Sequence, residues 1–247
     1  MADASSGDVS FQITHESTPS ERLVAGFSSF GLAGLTAVDF LVDQLELKET
    51  GHISIDQLPP ITPFEEGTPR HHTRLFSRSD LDVTLLVNEL FIPLQYTDQL
   101  GNAILGWTES NAVQEITVLA GVPVPHGPES HQVYYIATRD YQAATLQDAE
   151  ISPMGDGFLD GINASLIGQG MDSELRVGVF VTPVHAQVPD VEAALRLVQA
   201  FEQLFEVDVN TDELEQFAAE VERYYQDLED RLRSMEPSET PEDRMYM

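Results

Sequence analysis

The chain is 247 residues long, with 42 Asp and Glu against 12 Lys and Arg, a formal net charge of −30, no Cys and a 42% apolar share. That length suits one large α/β domain or two small ones, with enough chain to bury a core. The composition excludes a disulfide-stapled miniprotein, a Cys-ligated metal site and a cysteine nucleophile, and it lacks the basic footprint that a nucleic-acid backbone requires. All the basic residues but Lys48 are Arg. An acidic chain almost empty of Lys is the composition expected of a protein soluble in very high salt, where screening falls to a few Å. Met1 to Ser10 is small and polar, unlike a signal peptide. The apolar stretches fall short of the ~20 residues that span a bilayer. The expectation is a cytoplasmic protein with no membrane or nucleic-acid partner.

In chain order, β-branched and aromatic runs predict strands at Val9–Thr14, Arg22–Phe27, Ile53–Gln57, Thr73–Phe76, Val83–Glu89, Glu115–Ala120, Gln132–Ala137 and Arg176–Val181. Runs such as 23–27, 85–87 and 177–181 are apolar on consecutive positions, which predicts strands covered on both faces in a mostly parallel central sheet. Between them, Leu32, Leu35, Val38, Leu41, Val42 and Leu45 recur at helical spacing. Further helices are predicted over Thr97–Ala112, over Asp160–Ile167 and after Pro189, the last carried by Val191, Ala194, Leu195, Val198, Phe201, Leu204 and Phe205. The alternation indicates a three-layer α/β/α sandwich. Asn210 and Glu213 resemble an N-cap pair opening a last helix through Leu214, Phe217, Val221, Tyr224, Leu228 and Leu232, which could pack on its own body or pair with another chain. One domain is expected over 9–233. The acidic, Pro-containing stretch 234–247 is expected to be a flexible tail.

The conspicuous strand-to-helix turn is Gly26-Phe-Ser-Ser-Phe-Gly31-Leu-Ala-Gly34. A P-loop needs Lys and Ser or Thr where Leu32 and Ala33 stand. A dinucleotide loop needs glycine at Ser29. A nucleophile elbow needs one residue fewer between Ser28 and Gly31. Two roles remain: an anion-binding helix start using Gly26, Ser28, Ser29, Gly31 and Gly34, or glycines that allow close strand–helix packing. Adjacent His71 and His72 would point to opposite faces of a strand and cannot chelate one metal together. His126, Glu129 and His131 match no metal-site spacing, and His15, His52 and His185 are isolated. Asp156 and Asp160 fit a helix start through capping and the helix dipole. No catalytic residue, metal or cofactor is predicted.

The terminus Arg244-Met245-Tyr246-Met247 combines an apolar anchor, a tyrosine and a carboxylate, which suits terminal-carboxylate capture beside an aromatic pocket. The tail from Ser234 would reach at most ~50 Å extended or ~20 Å as a coil.

The chain resembles the proteasome assembly chaperone family, in particular its archaeal members. The carriers are Leu-Val-Ala-Gly-Phe-Ser-Ser-Phe-Gly-Leu-Ala-Gly (23–34), Gly-Phe-Leu-Asp-Gly-Ile-Asn-Ala-Ser-Leu (157–166), Val-Gly-Val-Phe-Val-Thr (177–182) and Pro-Asp-Val-Glu-Ala-Ala-Leu (189–195). Relatives usually have Pro-Gly where Ser28-Ser29 stand. The resemblance implies a phosphorylase-like α/β/α sandwich, a non-catalytic role and homo- or hetero-oligomers. It also implies a hydrophobic–Tyr–any terminus, matched by Met245, Tyr246 and Met247, that docks between α subunits of the proteasome core particle near a lysine. The alternative is a phosphorylase-fold enzyme or anion-binding protein using the Gly26–Gly34 turn, with Arg70, Arg74, Arg78 or a histidine beside it. A third reading is an oligomeric scaffold with an incidental tail.

Overall fold

The computed structural model describes residues 10–56, 61–124, 131–185, 189–220 and 223. Its centre is four strands buried along almost their whole length: β2 (Arg22–Phe27), β7 (Thr84–Asn88), β8 (Glu115–Val122) and β11 (Arg176–Pro183). They lie in the order β7-β2-β8-β11, each parallel to its neighbour. Consecutive apolar residues produce this, because both faces of a central parallel strand are covered.

The sheet is mixed rather than mostly parallel. Beyond β7 run β6 (Thr73–Ser77), β3 (Lys48–Ile55) and β1 (Phe11–His15), each antiparallel to the next. At the other edge β9 (Tyr134–Ala137) is antiparallel to β11 and carries the short β10 (Ser152–Pro153). A separate two-stranded hairpin joins β4 (Phe64–Glu65) to β5 (Thr68–Pro69).

Helix α1 (Ala33–Gln44) and helix α5 (Val191–Phe205) pack together on one face of the sheet. Helix α2 (Thr97–Ser110) and helix α4 (Gly161–Asp172) pack on the other. The α2/α4 side holds the larger described core, where Leu23, Ala25, Ile116, Val118, Val177 and Val179 meet Leu100, Ile104 and Leu166. On the α1/α5 side the short helix α3 (Arg139–Thr145) inserts buried Tyr141 over Gly178, where a side chain would collide with the ring. The Tyr141 hydroxyl lies 2.7 Å from Thr117 Oγ1, and burial pushes its pKa far above the ordinary value despite that bond. This is the three-layer α/β/α architecture expected.

Several boundaries move. β3 begins at Lys48, five residues before the expected start. Its first half is charged, but Gly51 is buried, since a Cβ there would strike the Thr14 carbonyl and His15. α4 runs on to Asp172, while α3, the hairpin and β10 are unanticipated. Val9, Gln57 and the expected helix positions Val221, Tyr224, Leu228 and Leu232 lie outside the described residues, as does 234–247.

The chain divides into two compact units, the second starting at Thr211. Within that second unit residues 212–220 are helical. The helix is preceded by Thr211 rather than Asn210: the Glu215 amide donates to the Thr211 carbonyl at 2.9 Å, and Thr211 Oγ1 donates to Glu215 Oε1 at 2.9 Å. Among the described residues no helix is long and apolar enough to cross a membrane.

Candidate functional site

The Gly26–Gly34 turn leaves the C-terminal end of β2, at the centre of the sheet. Chain direction reverses there through a 3₁₀ turn, Phe30–Leu32, in which Gly31 (φ 63°) and Leu32 (φ 50°) are both left-handed. The Ser28 amide donates to the Asn88 carbonyl at 2.9 Å, tying the turn to β7. The Asp190 amide donates to the Gly31 carbonyl at 2.8 Å, tying it to the start of α5.

The glycines are spacing devices. A Cβ on Gly26 would overlap the Gly34 carbonyl oxygen, and one on Gly34 would overlap the Leu119 carbonyl oxygen of β8. At Gly31 it would lie 2.9 Å from Val184 Cβ, and at Gly121 it would lie 2.6 Å from the Phe30 carbonyl oxygen. These neighbours are mostly backbone and cannot move aside, so α1 sits on the sheet only because four side chains are missing. Ser28 and Ser29 are half-buried beside this contact. The turn therefore joins two strand ends and two helix starts at one place.

Beside it, buried Asp190 is the N-cap of α5. Its carboxylate accepts from the Ala193 amide at 3.0 Å and the His185 amide at 2.8 Å, and lies 2.9 Å from His185 Nδ1. Burial pushes the Asp190 pKa upward, but these bonds outweigh burial and leave it below the ordinary value. Arg196, one turn into the same helix, donates to Thr182 Oγ1 at 3.0 Å and to the Pro183 carbonyl at 3.1 Å. Together these bonds fix the end of β11 against α5. Sequence reasoning gave neither residue a role, although Pro189-Asp190 before an apolar helix is a legible capping signal.

The basic residues expected near the turn are engaged by other groups. Arg70 is bonded to Glu65 and, at 2.6 Å, to Glu89. Buried Arg74 lies 3.7 Å from Glu89, 3.8 Å from Asp39 of α1, and over the Phe76 ring. Arg78 pairs with Asp80 at 2.7 Å and caps the Leu45 carbonyl.

His71 and His72 do part company. The His71 ring stacks on His52 at 3.6 Å, and His72 Nδ1 lies 2.8 Å from Thr73 Oγ1. His15 lies 3.0 Å from Thr50 Oγ1 and edge-on to Trp107. His131 reaches His185 edge-on at 6.4 Å, while His126 and Glu129 lie outside the described residues. Among the described residues no group of three or more His, Asp or Glu is placed to hold a metal ion. Asp160 stands at the N-cap of α4, but its side chain makes no capping bond. Met245, Tyr246 and Met247 lie outside the described residues.

The architecture and the glycine-locked turn define a class: a three-layer α/β/α protein with a parallel centre and antiparallel flanks. A model described as the PAC2 family matches residues 23–229, and the chain belongs to that family. It is 21% identical, over 91% of its length and 92% of the relative's, to an uncharacterized protein of Methanocaldococcus jannaschii. Its fold is similar to that of Pyrococcus furiosus PbaA, an archaeal homolog of proteasome-assembly chaperone, at a TM-score of 0.79 and 17% identity over 92% of this chain and 93% of PbaA. It is also similar to P. furiosus PbaB, an archaeal proteasome activator, at a TM-score of 0.73 and 15% identity over 89% of this chain and 99% of PbaB.

Proposed function

We propose that this chain is a non-catalytic proteasome assembly chaperone or proteasome-binding adaptor, a cytoplasmic homo-oligomer working in high salt. The observation that carries the reading is membership of the PAC2 family together with a fold shared with PbaA and PbaB. In this reading Met245-Tyr246-Met247 docks on α subunits of the core particle. The body 9–233 carries the tail 234–247, and several copies raise the effective concentration of tails at the α-ring. The −30 charge is salt adaptation and marks no site. Contact-range burial of Tyr246 and Met245 then carries the affinity, because long-range attraction is screened. The packing role of the glycines in the 26–34 turn favours this reading over an anion-binding enzyme.

The test is capture of proteasome core particles and of isolated α subunits in high salt, with the full chain and with a form lacking Met245–Met247. Capture by the full chain and its loss in the truncated form are expected. Equal capture by both would sink the tail mechanism, and no capture by either would sink the proteasome reading.

A further inference from the structure

His52, His71 and His72 come together where β3 and β6 part. The ladder between these two strands runs from Lys48 opposite Ser77 to His52 opposite Arg74 and stops there. Past that point β3 continues beside β1, with Ile55 opposite Phe11. The chain leading into β6 keeps instead to β7, where the Glu89 amide donates to the His72 carbonyl at 2.8 Å. The strands therefore form a fork, and two rings meet across it: His52 and His71 stack 3.6 Å apart and 3° from parallel.

On one side of the fork is an arm. The β4/β5 hairpin is exposed along both strands, and Ile61 and Phe64 on this segment are 58% and 73% exposed. Its root is tied to β7 by charge, since Arg70 bonds Glu65 within the hairpin and Glu89 at 2.6 Å. The tie to β7 holds no imidazole, whereas the stack that meets β3 is made of two.

Neutral imidazoles stack favourably, and two imidazolium rings at this spacing repel each other. His52 is faced by Glu49 of its own strand, by Glu16 after β1 and by His71. Arg74 stands opposite it on β6, with its guanidinium turned to Glu89 and to Asp39 of α1. His72 is faced by His71 and Glu89. The carboxylates favour charged rings, but burial first and the His71 ring second outweigh them and hold His52 and His72 below the ordinary imidazole value of 6.5. Protons therefore bind the open fork more tightly than the closed one. The closed fork has its full stability above the ordinary value and loses it as pH falls toward the depressed ones. Salt weakens this least where the rings touch, because no ion fits between them.

We propose that the His52–His71 stack is an acid-released clasp. With both rings neutral it holds the arm of residues 61–72 against β3. With both charged the fork opens, and the arm swings away from β3 while Arg70 keeps it on β7. The clasp does not depend on the proteasome reading.

The test uses the absence of Cys from the chain. Spin labels on Thr68→Cys in the arm and Gln12→Cys in β1, both exposed positions, report the distance across the fork. They are read in high salt at about pH 7.5 and about pH 5, on either side of the ordinary imidazole value. A narrow distance distribution is expected at the higher pH and a longer, broader one at the lower, with the far-UV circular dichroism unchanged. His52→Phe and His71→Phe each keep a ring for stacking and remove a charge, so each should hold the narrow distribution at both pH values. His71 is exposed, so its replacement leaves the core undisturbed. A distribution that ignores pH, broadening that persists in either variant, or broadening that comes with a loss of the circular dichroism signal would overturn the proposal.

Discussion

The chain has two glycine-bearing helix starts that look alike as sequence and do opposite things. The first, Gly26 to Gly34, is closed: carbonyl oxygens of Gly34, Leu119 and Phe30 occupy the places where side chains would stand. The second, Gly155 to Gly161, is open. A Cβ on Gly155 or Gly157 would meet nothing within 4 Å, and at Gly161 the nearest atom is Leu94 Cδ2 at 3.7 Å. Glycine in the first case lets a helix approach a sheet. In the second it leaves a loop that presents Phe158 to solvent. Gly31 and Gly161 are both left-handed (φ 63° and 59°), so the difference lies in what is packed opposite the other glycines, which mark architecture at one site and a surface at the other.

The largest effect should come from breaking the closed site. Gly34→Ala puts a methyl group on the Leu119 carbonyl oxygen, and neither α1 nor β8 can yield without disturbing the central strands. The expected loss is about 3 kcal/mol, the upper end of the usual range for overpacking a core, because the blocking atom is backbone. Denaturant unfolding in high salt measures it. A loss below ~1 kcal/mol would show that the helix can shift and that the contact is not what sets its position.

The caps beside the two starts give a second, smaller contrast. Asp190 accepts two backbone amides and the His185 ring, whereas Asp160 makes no capping bond. Asp190→Ala should cost about 2 kcal/mol, a lost cap plus unpaired donors. Asp160→Ala should cost about 0.5 kcal/mol, the helix-dipole contribution alone. Asp190 also carries a pH dependence of its own. Because the folded Asp190 pKa is depressed, its stabilisation is complete above the unfolded carboxyl value and is lost as pH falls through the folded one. The parent and Asp190→Ala should therefore converge in stability toward low pH. Thermal melts of the parent and both variants across an acid series read this directly, and a gap that stays constant as pH falls would contradict the assignment.

Much of the fold was legible because the central strands are apolar on consecutive residues and the major helices repeat at three and four. β2 has the boundaries expected from sequence, and α5 begins two residues after Pro189. Strand direction was not legible, since an apolar run buried on both faces looks the same whichever way it points. β6, β3 and β1 were expected as strands, but their antiparallel pairing was not, and the alternating burial of β1 and β3 was the available sign that the sheet is not parallel throughout. α3 escaped because seven residues with one buried member, Tyr141, contain no period to detect. At the turn, the sequence showed that side chains were missing at Gly26, Gly31 and Gly34 but not what filled the space. At Gly26 the space is filled by the Gly34 carbonyl and Val38 of the following helix, and at Gly31 and Gly34 by Val184, Asp190 and β8, which are distant along the chain.

The smallest effect should be a gain, and it separates glycine as a spacer from glycine as an accident of surface. Gly168 lies inside α4, and a Cβ there faces open space. Gly168→Ala removes the entropic cost of a helical glycine and should stabilise the folded chain by about 0.5–1 kcal/mol. It adds one methyl group to the wall of a recess of about 660 Å³ between α2 and α4 and meets no neighbour there. Denaturant unfolding reads this gain. Stabilisation keeps the open site a surface. Destabilisation comparable to that of Gly34→Ala would mean the second helix start is as tightly packed as the first, and the contrast between them would fall.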